Sequence, residues 1–106
     1  MRDMMGLMKQ AQQMQQKMAD VQAELDTIEV EGAAGGGMVK VTMTAKGALK
    51  GVTIDPGLMV ADEREILEDL IVAAVNDARG KAEQVAAERM AELTKGLPIP
   101  PGMKLF

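Results

Sequence analysis

The 106 residues include 12 basic and 16 acidic side chains, which give a formal net charge of −4. A chain of this length forms one domain around one core. The sequence contains no cysteine, histidine or serine, and Phe106 is its single aromatic residue. Disulfide frameworks, thiolate or imidazole metal sites, and serine or cysteine nucleophiles are therefore excluded, and an enzyme is not expected.

The amino-terminal segment MRDMMGLMKQAQQMQQKM is apolar only at intervals. It lacks the continuous apolar stretch of a signal sequence, and no apolar run in the chain approaches the twenty residues of a membrane span. A cytosolic protein is therefore expected, and the lack of cysteine agrees with that compartment. We expect no membrane partner, no cofactor, no metal and no small-molecule substrate.

The first predicted element is a helix over about residues 3–26. Apolar residues step by three and four along its whole length, which gives a seven-residue repeat. We call them the methionine stripe: Met4, Leu7, Ala11, Met14, Met18, Val21, Leu25 and Ile28. A seam this narrow favours a coiled-coil contact. The alternative is an amphipathic helix that packs on its own domain.

Three strands are predicted next, at about residues 28–32, 38–45 and 49–55. In the second, Val39, Val41 and Met43 alternate with Lys40 and Thr42, so that one face is apolar and the other polar. The glycine-containing connections GAAGGG and AKGA favour tight turns. The three strands are therefore expected to form an antiparallel meander.

The segment GAAGGG has two interpretations, a phosphate-binding loop and a turn. Gly32 and Gly37 have the spacing of the two glycines in a P-loop. However, Met38 and Val39 occupy the positions where that motif has Lys and then Ser or Thr, and a predicted strand follows instead of a helix. The turn is therefore the favoured interpretation.

A second helix is predicted over about residues 62–95, ending before Gly96. Its acidic first turns would suit a divalent cation, but a solvated helix start explains them more simply. Gly80 lies in its middle and favours a bend or a close helix contact there. The segment at 97–106 is predicted to be an extended tail because it contains three prolines.

Element lengths predict an assembly. Helix 1 would be about 35 Å long at 1.5 Å per residue, whereas strands of five or six residues reach about 20 Å. Half of the methionine stripe therefore overhangs the sheet, and monomers seldom leave such a strip in water. A homodimer is expected, with these interface residues: Met4, Leu7, Ala11, Met14 and Met18.

Basic residues concentrate in two segments. Residues 1–18 carry three of them against one acid, and residues 38–54 carry three with no acid. These six are the candidate DNA-binding residues: Arg2, Lys9, Lys17, Lys40, Lys46 and Lys50. A dimer doubles each cluster, which provides a usable footprint for phosphates, and the many glutamines would add hydrogen bonds. The alternative is that these polar residues only solvate a coiled-coil surface.

Five segments carry a family resemblance: GLMKQAQQMQQKM, GGGMVKVTM, VTIDP, LEDLIVAAVNDARGKAE and GLPIPPGMKLF. In this order and at these distances, the chain resembles the YbaB/EbfC family of bacterial nucleoid-associated DNA-binding proteins. The match covers nearly the whole chain. Two positions depart from the family pattern: Gly80 stands where longer polar residues are usual, and Leu105 is followed directly by Phe106 where a proline often intervenes.

The resemblance implies an α+β fold with an α-β-β-β-α protomer and a three-stranded antiparallel sheet. It also implies a tweezer-like homodimer in the nucleoid that binds DNA with weak sequence specificity, alters its conformation, and affects nucleoid organisation and gene expression. The alternative function is a coiled-coil scaffold that docks helices of partner proteins on the methionine stripe. An enzyme has no support beyond scattered carboxylates.

Overall fold

The computed structural model describes residues 2–95, with side chains from residue 4 onward. Two helices flank three strands: α1 (Arg2–Thr27), β1 (Glu29–Ala34), β2 (Val39–Thr44), β3 (Leu49–Ile54) and α2 (Arg64–Lys95). Short 3-10 turns lie between them at Gly35–Gly37, Pro56–Leu58 and Ala61–Glu63. The predicted tail at 97–106 lies outside the described residues.

The strands form one antiparallel sheet in the order β1-β2-β3, which confirms the predicted α+β class and the meander. Val41, in the middle of β2, is paired with Gly32 on one side and Val52 on the other. The register between β2 and β3 shifts after Thr42. The shift leaves Lys50 as an extra residue in β3, which is the arrangement of a β-bulge.

Helix α2 packs mainly on β1 and β2. The alternation predicted for β2 places Val39, Val41 and Met43 on the side facing α2, and all three are fully buried. Alanines supply the buried line of the helix at positions 74, 78 and 82. Because alanine is small, the helix axis can lie close to the sheet.

Gly32 is the point of closest approach between β1 and α2. A Cβ atom on this residue would lie 2.7 Å from Cβ of Ala78 and closer still to the carbonyl oxygen of Ala74. Only glycine avoids that overlap. The residue therefore belongs to the core, and the turn is made by Gly35–Gly37, where all three φ angles are positive (63°, 67° and 94°).

Gly80 makes no close contact. A Cβ atom built there would meet nothing within 4 Å outside the helix's own backbone, and α2 runs without interruption through it. The close helix contact considered from the sequence is therefore not found among residues 2–95.

Helix α1 leaves the domain instead of lying on it. Leu25, near its carboxyl end, is buried, and Val21 and Met14 are half-buried. A carboxylate oxygen of Glu24 lies 2.9 Å from a guanidinium nitrogen of Arg89, near the end of α2. The two helices thus project together from one end of the sheet, and the described chain is 72 Å long but only 26 by 16 Å across.

Candidate nucleic-acid interface

From position 4 to position 19, helix α1 carries two cations and no acid. Lys9 and Lys17 are exposed, and they are the only charged residues from position 4 to position 19. Arg2 lies in the first turn of α1, but its side chain is outside the described part. Lys9 and Lys17 are separated by about 12 Å along the helix axis, a spacing that allows contacts with different phosphates of a duplex.

An apolar surface accompanies these cations. Met4 and Leu7, from the methionine stripe, are 68% and 64% exposed. Met5 and Met8 lie beside them and are exposed to 75% and 62%. The apolar surface at the tip of α1 is therefore broader than the narrow seam predicted from the sequence, because Met5 and Met8 fall outside the seven-residue repeat.

The sheet carries the second predicted cluster. Lys40 is exposed on the face turned away from α2, since its neighbours Val39 and Val41 are buried on the other face. Lys50 is exposed at the bulge of β3. Lys46, in the turn between β2 and β3, has its Nζ 3.6 Å from a carboxylate oxygen of Asp26 in α1. This pair partly neutralises Lys46 and brings the turn to the base of α1.

Among the basic residues of α2, Arg89 forms ion pairs within the chain and Arg79 does not, within the described residues. The Arg89 guanidinium contacts the carboxylates of Glu24 at 2.9 Å and Glu92 at 3.7 Å. Arg79 forms no ion pair among the described residues, and it lines a groove of about 380 Å³ together with Lys46 and Leu25. Arg79 therefore joins the candidate cations, and its proximity to Lys46 could not be read from sequence spacing.

Lys81 of α2 contacts the outer edge of β1. Its Nζ donates a hydrogen bond of 2.9 Å to the carbonyl oxygen of Glu31 in β1 and lies 3.2 Å from a carboxylate oxygen of Asp77. The same carboxylate accepts a 3.0 Å hydrogen bond from the backbone N–H of Ala33. Two side chains of α2 thus satisfy backbone groups on the outer edge of β1, which protects that edge from pairing with other strands.

The hydrogen bond from Ala33 lowers the pKa of Asp77 below its ordinary value, and the hydrogen bond and charge of Lys81 act in the same direction. A carboxylate with a depressed pKa stabilises the fold above the pKa of the unfolded state. That stabilisation is lost as the pH falls through the lower, folded-state pKa. For Asp77 this window lies below about pH 4.

We expect Asp77→Ala to lower the urea midpoint at pH 7, because the N–H of Ala33 and the ammonium of Lys81 both lose their partner. The difference from the parent should shrink as the pH is lowered through the window below about pH 4. Asp69→Ala is the matched control, since Asp69 is an exposed aspartate of α2 without a hydrogen bond or ion pair among the described residues. A constant difference at all pH values would contradict this role of Asp77.

Two other kinds of site find no support in the part of the chain that the structure describes. Neither helix is long and apolar enough to cross a membrane. Within residues 4–95, no three aspartate or glutamate side chains come together in a group able to hold a metal ion.

The fold defines a small α+β protein with two long helices that project from a three-stranded sheet. It is similar to the crystal structure of an uncharacterized protein from Helicobacter pylori, with a TM-score of 0.74 and 21% sequence identity, over 82% of this chain and 91% of that one. A model of the YbaB/EbfC DNA-binding family matches residues 1–97. The chain belongs to this family.

Several relatives are similar in sequence to this chain over almost its whole length. Proteins named nucleoid-associated protein from Methylocella silvestris and Rhodopseudomonas palustris are each 59% identical over 105 residues, which is 99% of this chain and 98% and 99% of theirs. The protein of the same name from Brucella ovis is 57% identical over 99% of this chain and 98% of its own.

Proposed function

We propose that this chain is a nucleoid-associated protein that binds DNA as a homodimer and alters its conformation with little sequence specificity. The observation that carries the proposal is the outer half of α1, a projecting helix with exposed Lys9 and Lys17 and no acid from position 4 to position 19. Membership of a DNA-binding family and the names of the close relatives support the same conclusion.

Local charge decides the mode of binding. The chain as a whole is an anion, so attraction to DNA must come from clusters that the acidic residues do not reach. The acidic residues concentrate in two segments. Residues 20–31 cover the base of α1 and the start of β1, and residues 55–69 cover the connection to α2 and its first turns. At physiological ionic strength, charges more than about 8 Å apart are largely screened. Lys9 can therefore attract phosphate although the net charge is negative, whereas Lys17 lines a groove that also contains Asp20 and Glu24.

The side chains at this tip favour phosphate contacts over base reading. Lysine recognises phosphate as a point charge, and such contacts carry no sequence information. The chain has Phe106 as its single aromatic residue, so a stacking platform for single-stranded bases is absent from the sequence. Duplex DNA, bound through its backbone and its shape, is the expected ligand.

An electrophoretic mobility shift titration tests this function. We expect the parent protein to shift duplexes of unrelated sequence with similar affinity at moderate salt. The salt concentration must be stated for each affinity, because phosphate contacts release counterions. Absence of a shift for every duplex at low salt would contradict the proposal.

The homodimer rests on exposed apolar surface. Met4 and Leu7 are about two-thirds exposed in the single chain, and a second copy would remove such residues from water. Sedimentation equilibrium at micromolar concentration is expected to give about twice the chain mass of 11.3 kDa. A folded species of 11.3 kDa under these conditions would contradict the homodimer.

A scaffold that docks partner helices remains the second candidate. It is favoured by the exposed methionines at the α1 tip, because flexible thioether side chains adapt to varied apolar partners. The two functions differ in the mobility shift. A scaffold without DNA affinity would give no shift at any salt concentration, whereas the proposed function requires one at low salt.

A further inference from the structure

The outer end of α1 reaches beyond the rest of the described chain. Lys17 of α1 and Leu93 of α2 line the same groove, and α2 is described as far as Lys95. At about 1.5 Å per residue, α1 continues for about 20 Å from Lys17 to Met4. Within the described part, every side chain from position 4 to position 13 is exposed. This end of the helix is therefore placed to contact another molecule.

Two of its exposed methionines lie to one side of the methionine stripe. A helix turns by about 100° per residue. Met5 and Gln12 therefore point roughly 130° away from the midline of the outer stripe, and Met8 lies between them and the stripe. Both methionines are strongly exposed. A homodimer that closes on the stripe, through Met4 and Leu7, leaves Met5 uncovered.

A cation and an amide accompany these methionines. Met5, Met8, Lys9 and Gln12 line one shallow groove on α1 together with Gly6, and we call the four side chains the Met5 face. A Cβ atom built on Gly6 would meet nothing within 4 Å, so the groove is open there. Since the sequence has no acid from position 4 to position 19, nothing on this part of the helix repels an anion.

This combination of side chains is the one that DNA-bending proteins use. Such proteins insert apolar side chains, methionine among them, between base pairs from the minor groove, and use Lys and Gln in that groove. A thioether is polarizable and makes favourable contacts with aromatic rings, and a base is an aromatic ring. The minor groove presents a degenerate pattern of acceptors, so binding there agrees with weak sequence specificity.

We propose that Met5 and Met8 insert between base pairs of a DNA duplex from its minor groove and kink it, while Lys9 binds an adjacent phosphate. The side-chain amide of Gln12 donates hydrogen bonds to acceptors on the floor of the groove. The proposal rests on the proposed DNA-binding function and supplies the physical step by which the protein alters DNA conformation. It leaves the methionine stripe available to the second copy.

A double variant of the full-length protein, Met5→Gln with Met8→Gln, tests the insertion. Glutamine has a helix propensity close to that of methionine, so the variant keeps the helix and replaces two thioethers by polar amides. Energy transfer between dyes at the two ends of a duplex of about 30 base pairs reports its bending. At saturation the parent is expected to bend the duplex by about 20–90°, and the double variant to lose most of this bend.

The mobility shift separates insertion from phosphate binding. Lys9 and Lys17 are unchanged in the double variant, so its slope of log affinity against log salt is expected to stay within about one unit of the parent. Pyrimidine–purine steps unstack easily, whereas A-tracts are stiff. The parent should therefore bind a duplex with central TA steps more tightly than one with a central A-tract, and the double variant should lose this preference.

Two further variants are controls for the chemistry. Met5→Leu with Met8→Leu keeps apolar side chains of a kind that also insert between base pairs, so this variant is expected to bend DNA as the parent does. Met59→Gln removes an exposed methionine, 63% accessible, from the connection between β3 and α2. It is also expected to leave the bend unchanged, and a loss of bending there would contradict a specific role of the Met5 face.

The outcomes separate this proposal from DNA binding itself. If the glutamine double variant bends DNA as the parent does, or if the parent binds without bending, the insertion is wrong although DNA binding stands. If the double variant sediments at 11.3 kDa and the parent at twice that mass, the two methionines belong to the contact between copies, and the insertion is again wrong. A parent that shifts no duplex would contradict the proposed function and, with it, the insertion.

Discussion

Replacing Gly32 by alanine is expected to destabilise the protein by about 3 kcal/mol, at the upper end of what overpacking costs. The added methyl group would overlap the carbonyl oxygen of Ala74 and lie 2.5 Å from the backbone nitrogen of Ala78. Backbone atoms of a helix cannot turn aside as a side chain can, so α2 must lift from β1. Urea unfolding should show a midpoint lower by about 1.5 M, for an m-value of about 2 kcal/mol per molar urea.

Gly51→Ala is the matched control for this experiment. Gly51 also lies in the sheet, in β3, and a Cβ atom there would meet nothing within 4 Å. The same substitution is expected to be neutral or slightly stabilising, since alanine restricts the unfolded chain more than glycine does. Equal losses for Gly32→Ala and Gly51→Ala would mean that strand glycines as such, and not the helix contact, determine stability.

Gly32 also shows where sequence reasoning reached its limit. The run GAAGGG appears as one glycine-rich connection, and the predicted first strand ends at its first member. In the structure β1 continues through Gly32 to Ala34, and α2 lies on it. Ala33 and Asp77, which join the same two elements, are 44 positions apart. The local sequence pattern contains no signal for such a contact. A tight turn and a close approach between a strand and a helix both require glycine, so the residue type does not distinguish them.

Periodicity predicted the elements well for a physical reason. A strand with one buried face must alternate, as β2 does at Val39, Val41 and Met43, and this pattern is set within a few residues. Which strands α2 would cover was not predictable in the same way. Its apolar face is wide enough for any part of the sheet, so the exposure of Leu49 and Val52 in β3 appears only once the helix is in place.

The candidate DNA-binding residues were predicted from charge alone, and their role stays a prediction. Charge counting could not distinguish Lys46, which is paired with Asp26, from Lys40, which has no ion pair among the described residues. It also could not separate Arg79 from Lys81, whose ammonium is held by Glu31 and Asp77. Ion pairing depends on which elements meet, and that information lies in the tertiary structure.

Simultaneous replacement of Arg2, Lys9 and Lys17 by glutamine is expected to remove most DNA binding. A dimer carries about six of these cations, and each phosphate neutralised contributes about −0.9 to the slope of log affinity against log salt, so the parent slope should be near −5. The parent should then lose about 1,000-fold in affinity between 50 and 200 mM salt. The triple variant should have a much flatter slope and bind all duplexes more weakly by a similar factor.

The dimer and the fold should survive these three changes, because Lys9 and Lys17 are exposed and none of the three positions belongs to the methionine stripe. Lys81→Gln and Arg89→Gln, each of which removes one cation per chain, serve as controls, since both side chains are engaged in intramolecular ion pairs. They are expected to leave the salt slope within about one unit of the parent. If the triple variant shifts DNA as well as the parent does, helix α1 is not the contact surface. Lys40, Lys50 and Arg79, which have no ion pair among the described residues, are then the cations to replace.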